Sequence, residues 1–202
     1  MSSFVITGTG TGIGKTVFAA GLTALIDGYY WKPVQAGLED GTDTARVAQL
    51  SALPPERILP EAYRLEAPCS PHHAARLDSV EIDPARLSLP PQRPLVVEGA
   101  GGALVPLTGE LLFADLFARW QLPAIVVART SLGTINHSLM TLEVLRARGV
   151  AVHGIAFVGD SDEAAEAAIC RIGQARRLGR LPHLDPLDAA ALRCAFAVNI
   201  AL

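Results

Sequence analysis

Short, unbroken apolar runs alternate along this chain with longer stretches of mixed character. Phe4–Thr7, Leu95–Glu98, Ala124–Ala128 and Val150–Val158 are largely β-branched or continuously apolar. That is the pattern of strands covered on both faces, not of strands with one wet side. Tyr29–Val34 reads as a further short strand ending at Lys32-Pro33, since Pro33 lacks a ladder donor, and Leu178–Pro182 reads as the last strand. Between them, Val17–Leu25, Thr44–Leu53, Phe113–Trp120, a segment from Gly133 to about Arg148, and Asp162–Ile172 read as helices. Residues 54–94 are proline-rich and weakly periodic, and no element is placed there with a defined boundary. Strands alternating with helices predict an α/β fold of three layers, a mostly parallel central sheet flanked by helices. Right-handed crossovers would bring the carboxyl ends of the strands, and the loops that leave them, to one rim.

The first strand leads directly into Gly8-Thr-Gly-Thr-Gly-Ile-Gly-Lys-Thr16. Strand, glycine-rich loop, Gly14-Lys15-Thr16 and helix together make a phosphate-binding loop. Backbone N–H groups converge on a concavity, the helix start adds its positive end, and Lys15 brings a full charge. The Thr16 hydroxyl is placed to ligate a magnesium ion bridging phosphates. The spacing is slightly irregular: in G-x-x-x-x-G-K-[ST] the first glycine falls on Thr9, with Gly8 one residue earlier. A dinucleotide loop, G-x-G-x-x-G, cannot be laid over Gly8, Gly10, Gly12 and Gly14, which alternate. The loop therefore says nucleotide, with Gly12, Ile13, Gly14, Lys15, Thr16 and Val17 on the phosphate side, and leaves the reaction open. Glu98 closes an apolar run and precedes Gly99-Ala100-Gly101-Gly102. An acid at a strand's carboxyl end points into the ligand crevice, so Glu98 resembles the acid that organises magnesium opposite such a loop. Asp43 stands at the start of a helix, where its plain role would be an N-cap.

Composition narrows the class without naming a reaction. The 202 residues suit a single domain, 1–202, with a substantial core. Half the residues are hydrophobic and the mean hydropathy is +0.32, yet no uncharged apolar run approaches membrane-spanning length. The first strand comes at once after Met1-Ser-Ser, which leaves no room for a signal peptide. A net charge of −3 argues against a general nucleic-acid binder. Cys69, Cys170 and Cys194 are far apart and share no C-x-x-C spacing, so neither a disulfide framework nor a cysteine zinc site is expected. A reducing, cytoplasmic setting is the expectation.

Five segments in order resemble the dethiobiotin synthetase family of P-loop enzymes: Gly8–Thr16, Lys32-Pro-Val34, Ser70-Pro-His72, Val97–Gly102 and Leu132-Gly-Thr-Ile-Asn-His137. The resemblance implies a P-loop NTPase-like fold and an ATP-dependent ring closure. In it, 7,8-diaminononanoate, carbon dioxide and ATP give dethiobiotin, ADP and phosphate through a carbamate and a carbamic–phosphoric anhydride. It implies Mg2+ held by Thr16, Asp43 and Glu98, and Lys15 and Lys32 as the catalytic cations. It places nucleotide contacts at Gly12–Val17, Asp43, Glu98, Gly99, Ala100, Gly101, Val158, Gly159, Pro182, His183 and Leu184. Substrate contacts fall on Thr11, Lys32, Ala36, Gly133, Thr134 and Asn136, the last three supplied by the second subunit of a homodimer whose active sites lie at the interface. On the residues alone, Lys32 would be an ordinary solvated strand-end lysine, and Thr134 or Asn136 an ordinary helix cap.

Four positions depart from the family pattern. Ala36 replaces a Ser or Thr, and Gly12 replaces an acid that some members place in the loop. Val158-Gly159 stands where some use Asn-Asp to read adenine, and the Asp162–Ile172 helix has no tyrosine for the substrate carboxylate. An apolar Val158 cannot pair with a base edge, so nucleotides other than ATP are expected to serve as well. The main rival is a partitioning or regulatory ATPase, but such proteins carry an early second lysine in the loop, where this chain has Gly10. A related amide-forming synthetase would need a glutaminase domain, for which there is no length. A passive nucleotide-binding module would not account for Lys32, Asp43 and Glu98 together.

Overall fold

Every strand of the central sheet runs parallel to its neighbours. The computed structural model describes residues 2–202. The chain enters as β1 (Phe4–Gly8), turns through the glycine loop into α1 (Lys15–Leu25), and continues as β2 (Tyr29–Trp31), β3 (Val34–Ala36) and α2 (Asp43–Ser51). Next come β4 (Ile58–Leu59), β5 (Tyr63–Leu65), α3 (Pro71–Leu77), β6 (Leu95–Glu98) and α4 (Phe113–Trp120). The second half alternates regularly: β7 (Ala124–Arg129), α5 (Thr134–Ala147), β8 (Val152–Val158), α6 (Glu163–Ile172), β9 (Arg177–Leu181) and α7 (Ala189–Asn199). The sheet order is β4-β2-β6-β1-β7-β8-β9, while β3 and β5 pair apart in a two-stranded ribbon. The predicted three-layer α/β architecture is the one observed.

Two cores lie on the two faces, and successive strand residues divide between them as a pleated sheet requires. Phe4, Ile6, Tyr30, Val96, Ile125 and Val127 pack against Phe18 and Leu22 of α1, Val47 and Leu50 of α2, and Leu192 and Phe196 of α7. Val5, Trp31, Val97, Val126 and Phe157 face the other way, toward Phe113 and Phe117 of α4, Leu142 and Leu145 of α5, and Ile169 of α6. Both faces of the sheet's centre are dry, which is why β1, β6 and β7 are mainly apolar. Beyond α7 the chain returns along β9: Gly179 bridges Ile200 antiparallel, and the Ala201 N–H donates to Leu178 O at 2.8 Å. This pairing covers the β9 edge of the sheet.

Several boundaries differ from the sequence expectation. The single strand Tyr29–Val34 is two strands in two sheets: β2 stops at Trp31, and Val34-Gln35-Ala36 pairs with Tyr63–Leu65. Lys32-Pro33 is the break, and the second strand runs on past Val34 through Gln35-Ala36. Asp43 is not the cap of α2; Thr42 is, its hydroxyl accepting the Ala45 N–H at 3.1 Å. That releases the Asp43 carboxylate for other work. The helix after the loop starts at Lys15, ahead of Val17, and β8 starts at Val152, after Val150. The proline-rich stretch 54–94 holds β4, β5, α3 and two short 3-10 turns. Helix α7 was not anticipated, although its signals are present: Asp188 caps it by accepting the Ala191 N–H at 2.8 Å, and Leu192 and Phe196 bury at i, i+4 spacing.

Helices α1 and α7 meet at Gly21, where a Cβ would lie 2.3 Å from the Phe196 ring, which itself stacks on Phe18 at 5.0 Å. Gly21→Ala should gain about 1 kcal/mol of helix propensity yet lose more to overpacking, typically about 1–3 kcal/mol. Urea denaturation should therefore show a lowered midpoint; an unchanged or raised midpoint would mean that Phe196 simply rotates away.

Candidate active site

The phosphate loop is built by two glycines in the left-handed region, Gly12 (φ 69°) and Gly14 (φ 96°). Gly14 is doubly required, because a Cβ there would also sit 2.9 Å from a Val158 methyl. Val158 thus packs on the loop's α-carbon from the end of β8. Lys15, the first residue of α1, folds back so that its Nζ donates to Gly10 O at 2.6 Å. Burial lowers its pKa, as does the charge of Lys32, while Glu98 and Asp43 pull upward; the balance is about 8. Lys15 is therefore still mainly a cation at neutral pH, with its pKa lowered from the usual lysine value by burial.

Behind the loop, one cation and two carboxylates are locked together. Lys32, directly after β2, is 2% exposed, and its Nζ lies 2.5 Å from Asp43 Oδ2 and 3.3 Å from Glu98 Oε1. It also donates to Gly99 O at 3.4 Å. The strand-end lysine is therefore not solvated. Burial alone would lower the Lys32 pKa, but the charges of Glu98 and Asp43 and their hydrogen bonds outweigh it and raise it, so the cation persists. Burial would likewise raise Asp43, but Lys32 outweighs it, with help from the Thr16 hydroxyl and Lys15, and holds its carboxyl below the usual range. The Thr16 Oγ1 lies 2.8 Å from both Asp43 Oδ1 and Glu98 Oε1. Glu98 Oε2 accepts from the buried Tyr30 hydroxyl at 2.9 Å. Gln35 steadies the start of α2: its Oε1 accepts the Asp43 N–H at 3.0 Å, and its Nε2 donates to Ala36 O and Gly37 O.

Three hard oxygens, on Thr16, Asp43 and Glu98, thus converge from three elements. This donor set suits Mg2+ and no soft metal. Among the described residues no group of three or more His, Cys, Asp or Glu side chains forms a self-sufficient metal cage. A cation here would complete its shell with water and phosphate oxygens, as Mg2+ does beside nucleotides.

Two clefts flank the loop. One of about 310 Å³ is lined by Thr11, Gly12, Gly14, Lys15, Thr16, Val17, Lys32, Asp43, Glu98 and Gly101. The other, about 460 Å³, shares Gly12, Gly14 and Val17 and continues past Val158 and Gly159 to Pro182, His183 and Leu184. Most of the residues expected to hold phosphates and base thus border two adjoining clefts that share this stretch of the loop. The wall of the larger cleft also includes Arg129 at the end of β7, Thr130 and Ser131 just beyond it, and Asp160, which sequence reasoning missed. The rule that ligands sit beyond strand carboxyl ends pointed to β7 as much as to β6. Asp188, in the segment beyond Leu184, is occupied as the α7 cap.

Other named residues lie elsewhere. Ala100 packs on the core behind α4, and Gly99 contributes only its carbonyl to Lys32. Ala36 ends β3 and does not border either cleft. Gly133, Thr134 and Asn136 stand at the start of α5 and border neither cleft of their own chain. Gly133, not Thr134 or Asn136, occupies the N-cap position, in left-handed conformation and without a side-chain cap. Thr134 is buried, with its hydroxyl unpartnered, and Asn136 is exposed. Exposed Leu104, Leu132, Ile135 and Met140 surround this helix start and its first turns.

Residues 2–191 match a family model described as an AAA domain. Among solved structures, the fold is shared with the septum site-determining protein MinD of Pyrococcus horikoshii, at a TM-score of 0.55 and 16% identity over 96% of this chain and 86% of that one. A ParA family ATPase from Chlorobium tepidum gives 0.54 at 12% identity, over 98% and 93%. Those likenesses are of fold alone. In sequence, the ATP-dependent dethiobiotin synthetase BioD of Novosphingobium aromaticivorans is 62% identical over 98% of this chain and 96% of its own. The proteins of that name from Rhizorhabdus wittichii and Agrobacterium fabrum are 65% and 60% identical, covering 96% and 98% of this chain and 94% of each relative. With identity of this order along almost its whole length, the chain belongs to the ATP-dependent dethiobiotin synthetase family.

Proposed function

We propose that the protein closes the ureido ring of dethiobiotin from 7,8-diaminononanoate, carbon dioxide and ATP. The observation that carries this reading is Lys32, a buried cation held between Asp43 and Glu98 beside a phosphate loop, where a nucleotide-binding module would have no use for it. One amine of the diamine takes up carbon dioxide and releases a proton, giving a carbamate. The carbamate oxygen attacks the γ-phosphorus and ADP departs. The second amine then attacks the carbonyl carbon of the mixed anhydride, and phosphate leaves as the ring closes.

Such phosphoryl transfer asks the protein for alignment and charge neutralisation. The loop N–H groups and Lys15 hold the phosphates, and Lys32 offsets the negative charge of carbamate and γ-phosphate as they meet. Thr11, which borders the same cleft, would offer its hydroxyl to the carbamate or phosphate. Thr16, Asp43 and Glu98 would hold Mg2+, which when bound neutralises and orients the β- and γ-phosphates. The cleft past Val158 takes the base. Because Val158 packs against Gly14, base selection is left to backbone groups and is weak.

The open start of α5 suits the diamine's distal carboxylate as an anion site. Since Gly133, Thr134 and Asn136 border neither cleft of their own chain, this reading requires a second subunit. The exposed Leu104, Leu132, Ile135 and Met140 support a homodimer with its active sites at the interface. No helix among the described residues is long and apolar enough to cross a membrane. The three free cysteines accord with work in a reducing cytoplasm.

Incubation with the diamine, labelled bicarbonate, Mg2+ and ATP should yield a labelled cyclic urea; folded protein that yields none would sink the function. In the same assay Lys32→Gln should lower kcat about 10²–10³-fold while ADP still binds, whereas Lys15→Gln should chiefly weaken the nucleotide. Full turnover by Lys32→Gln would remove its assigned role.

ATP, CTP and GTP should support turnover within about one order of magnitude of one another, since no side chain at 158 reads the base. Strict ATP selectivity would contradict this.

The lysine in the loop also sets a pH dependence. Free Lys15 titrates near 8, and phosphate beside it raises that value, so binding above pH 8 must take up a proton. Without Mg2+, ADP affinity should fall as pH climbs from 8 to 10, by up to about tenfold per unit. Calorimetry in buffers of different ionisation enthalpy should register the uptake, and Lys15→Gln should abolish it.

A further inference from the structure

Beyond its two cations and three oxygen donors, the site contains one buried hydroxyl, that of Tyr30. Tyr30 is fully buried, on β2, and pairs in register with Val96 of the neighbouring β6. Glu98 lies two residues further along β6, on the same face of the sheet. Only a long side chain spans that diagonal, roughly 7–8 Å between α-carbons, and the Tyr30 hydroxyl ends it by donating to Glu98 Oε2 at 2.9 Å. The other oxygen, Oε1, takes the Thr16 hydroxyl and the Lys32 ammonium. The two oxygens of Glu98 therefore have separate duties, one facing the core and one facing the cleft.

A carboxylate 1% exposed cannot leave an oxygen without a donor except at a cost of about 1–3 kcal/mol or more. If Oε2 lost its donor, the group would turn to share Thr16 and Lys32 between both oxygens, and Oε1 would no longer sit beside Asp43 Oδ1. We propose that Tyr30 is a positioning residue for the cation site. By fixing Oε2, it presents Oε1 alone, in one orientation, next to Thr16 Oγ1 and Asp43 Oδ1. The inference rests on the magnesium reading above but not on the ring-closing reaction. Hydrogen-bond partners behind a ligating carboxylate typically change metal affinity about 10–100-fold when removed.

ADP binding to the intact protein, measured by calorimetry with and without Mg2+, tests the idea without any turnover. In the wild type Mg2+ should tighten ADP; if it does not, both the cation site and this proposal fall, whatever the enzyme synthesises. In Tyr30→Phe the Mg2+-free affinity should stay within about twofold, while the tightening by Mg2+ drops about tenfold. 4-Aminophenylalanine at position 30 keeps a donor in place and should restore it. 4-Fluorophenylalanine fills the hydroxyl's space without a proton and should behave as Phe does. Undiminished tightening in a folded no-donor variant would overturn the proposal, as would equal losses with and without Mg2+. Failure of both no-donor variants to fold would also overturn it, by making the hydroxyl a structural element.

Discussion

The site depends on one electrostatic constraint: Lys32 is a buried cation that is tolerable only because two carboxylates face it. A lone ammonium removed from water is strongly disfavoured, and so is either acid alone. The three groups come from the end of β2, the start of α2 and the end of β6, so satisfying any one of them fixes the relative positions of three elements. Truncating one partner of such a set typically costs about 3–5 kcal/mol, much of it the charge left behind. The same constraint explains the break at Lys32-Pro33. The strand must stop where its lysine turns inward, and the chain that leaves it pairs in a separate ribbon with β5. Thr42 caps α2 so that Asp43 need not, and Gln35 binds the backbone of Asp43 rather than its carboxylate. Ordinary capping has been moved one residue back, and an acid is thereby free to face a cation.

The features legible in the sequence were those that depend on local pattern. The parallel sheet is implied by apolar runs buried on both faces. β6 and α4 begin and end where their patterning stops, and the phosphate loop needs only its glycines, lysine and threonine in order. The features that stayed hidden depend on partners distant in sequence. Lys32 looks like a surface lysine because nothing within ten residues tells it that Glu98 will lie 3.3 Å away. Tyr30 reads as one more apolar strand residue, and its hydroxyl gains meaning only from the β2–β6 register. The division of Tyr29–Val34 between two sheets was obscured because both halves have strand propensity and the break lies in a proline whose consequence is topological. Helix α7 is the instructive omission. Its cap and its i, i+4 apolar pair were both visible, but an alanine-rich stretch after an irregular segment offers little contrast.

The two clefts are specified by different means. On the phosphate side, side chains are few, charged and tied to one another. Moving any of them disturbs the rest, which suits a region that must meet the same triphosphate at every turnover. On the base side the walls are strand ends and a proline-bearing segment, and Val158 serves the loop rather than the ligand. A hydrophobic contact with Gly14 holds the loop's conformation but carries no hydrogen-bond pattern, so it cannot distinguish one base edge from another. Position 158 thus cannot both pack against the loop and read the base when its side chain is Val.

A parallel sheet concentrates strand ends at one rim, and this chain uses that rim fully: β1 feeds the loop, β2 gives Lys32, β6 gives Glu98, and β7, β8 and β9 shape the base side. The same economy sets a limit. Lys32 is already committed to Asp43 and Glu98, so under the proposed reaction a second anion at the far end of a long, flexible substrate needs donors from outside this rim. The start of α5 has a left-handed glycine in the cap position and no side-chain cap; in its first turn the Thr134 N–H donates to Ser131 O at 3.0 Å. Exposed apolar side chains surround it, Leu132 and Met140 among them. An open helix start bordered by bare hydrophobic surface is poorly satisfied in an isolated chain. Both deficits are met at once if another copy covers the apolar residues and brings a substrate carboxylate to the helix start.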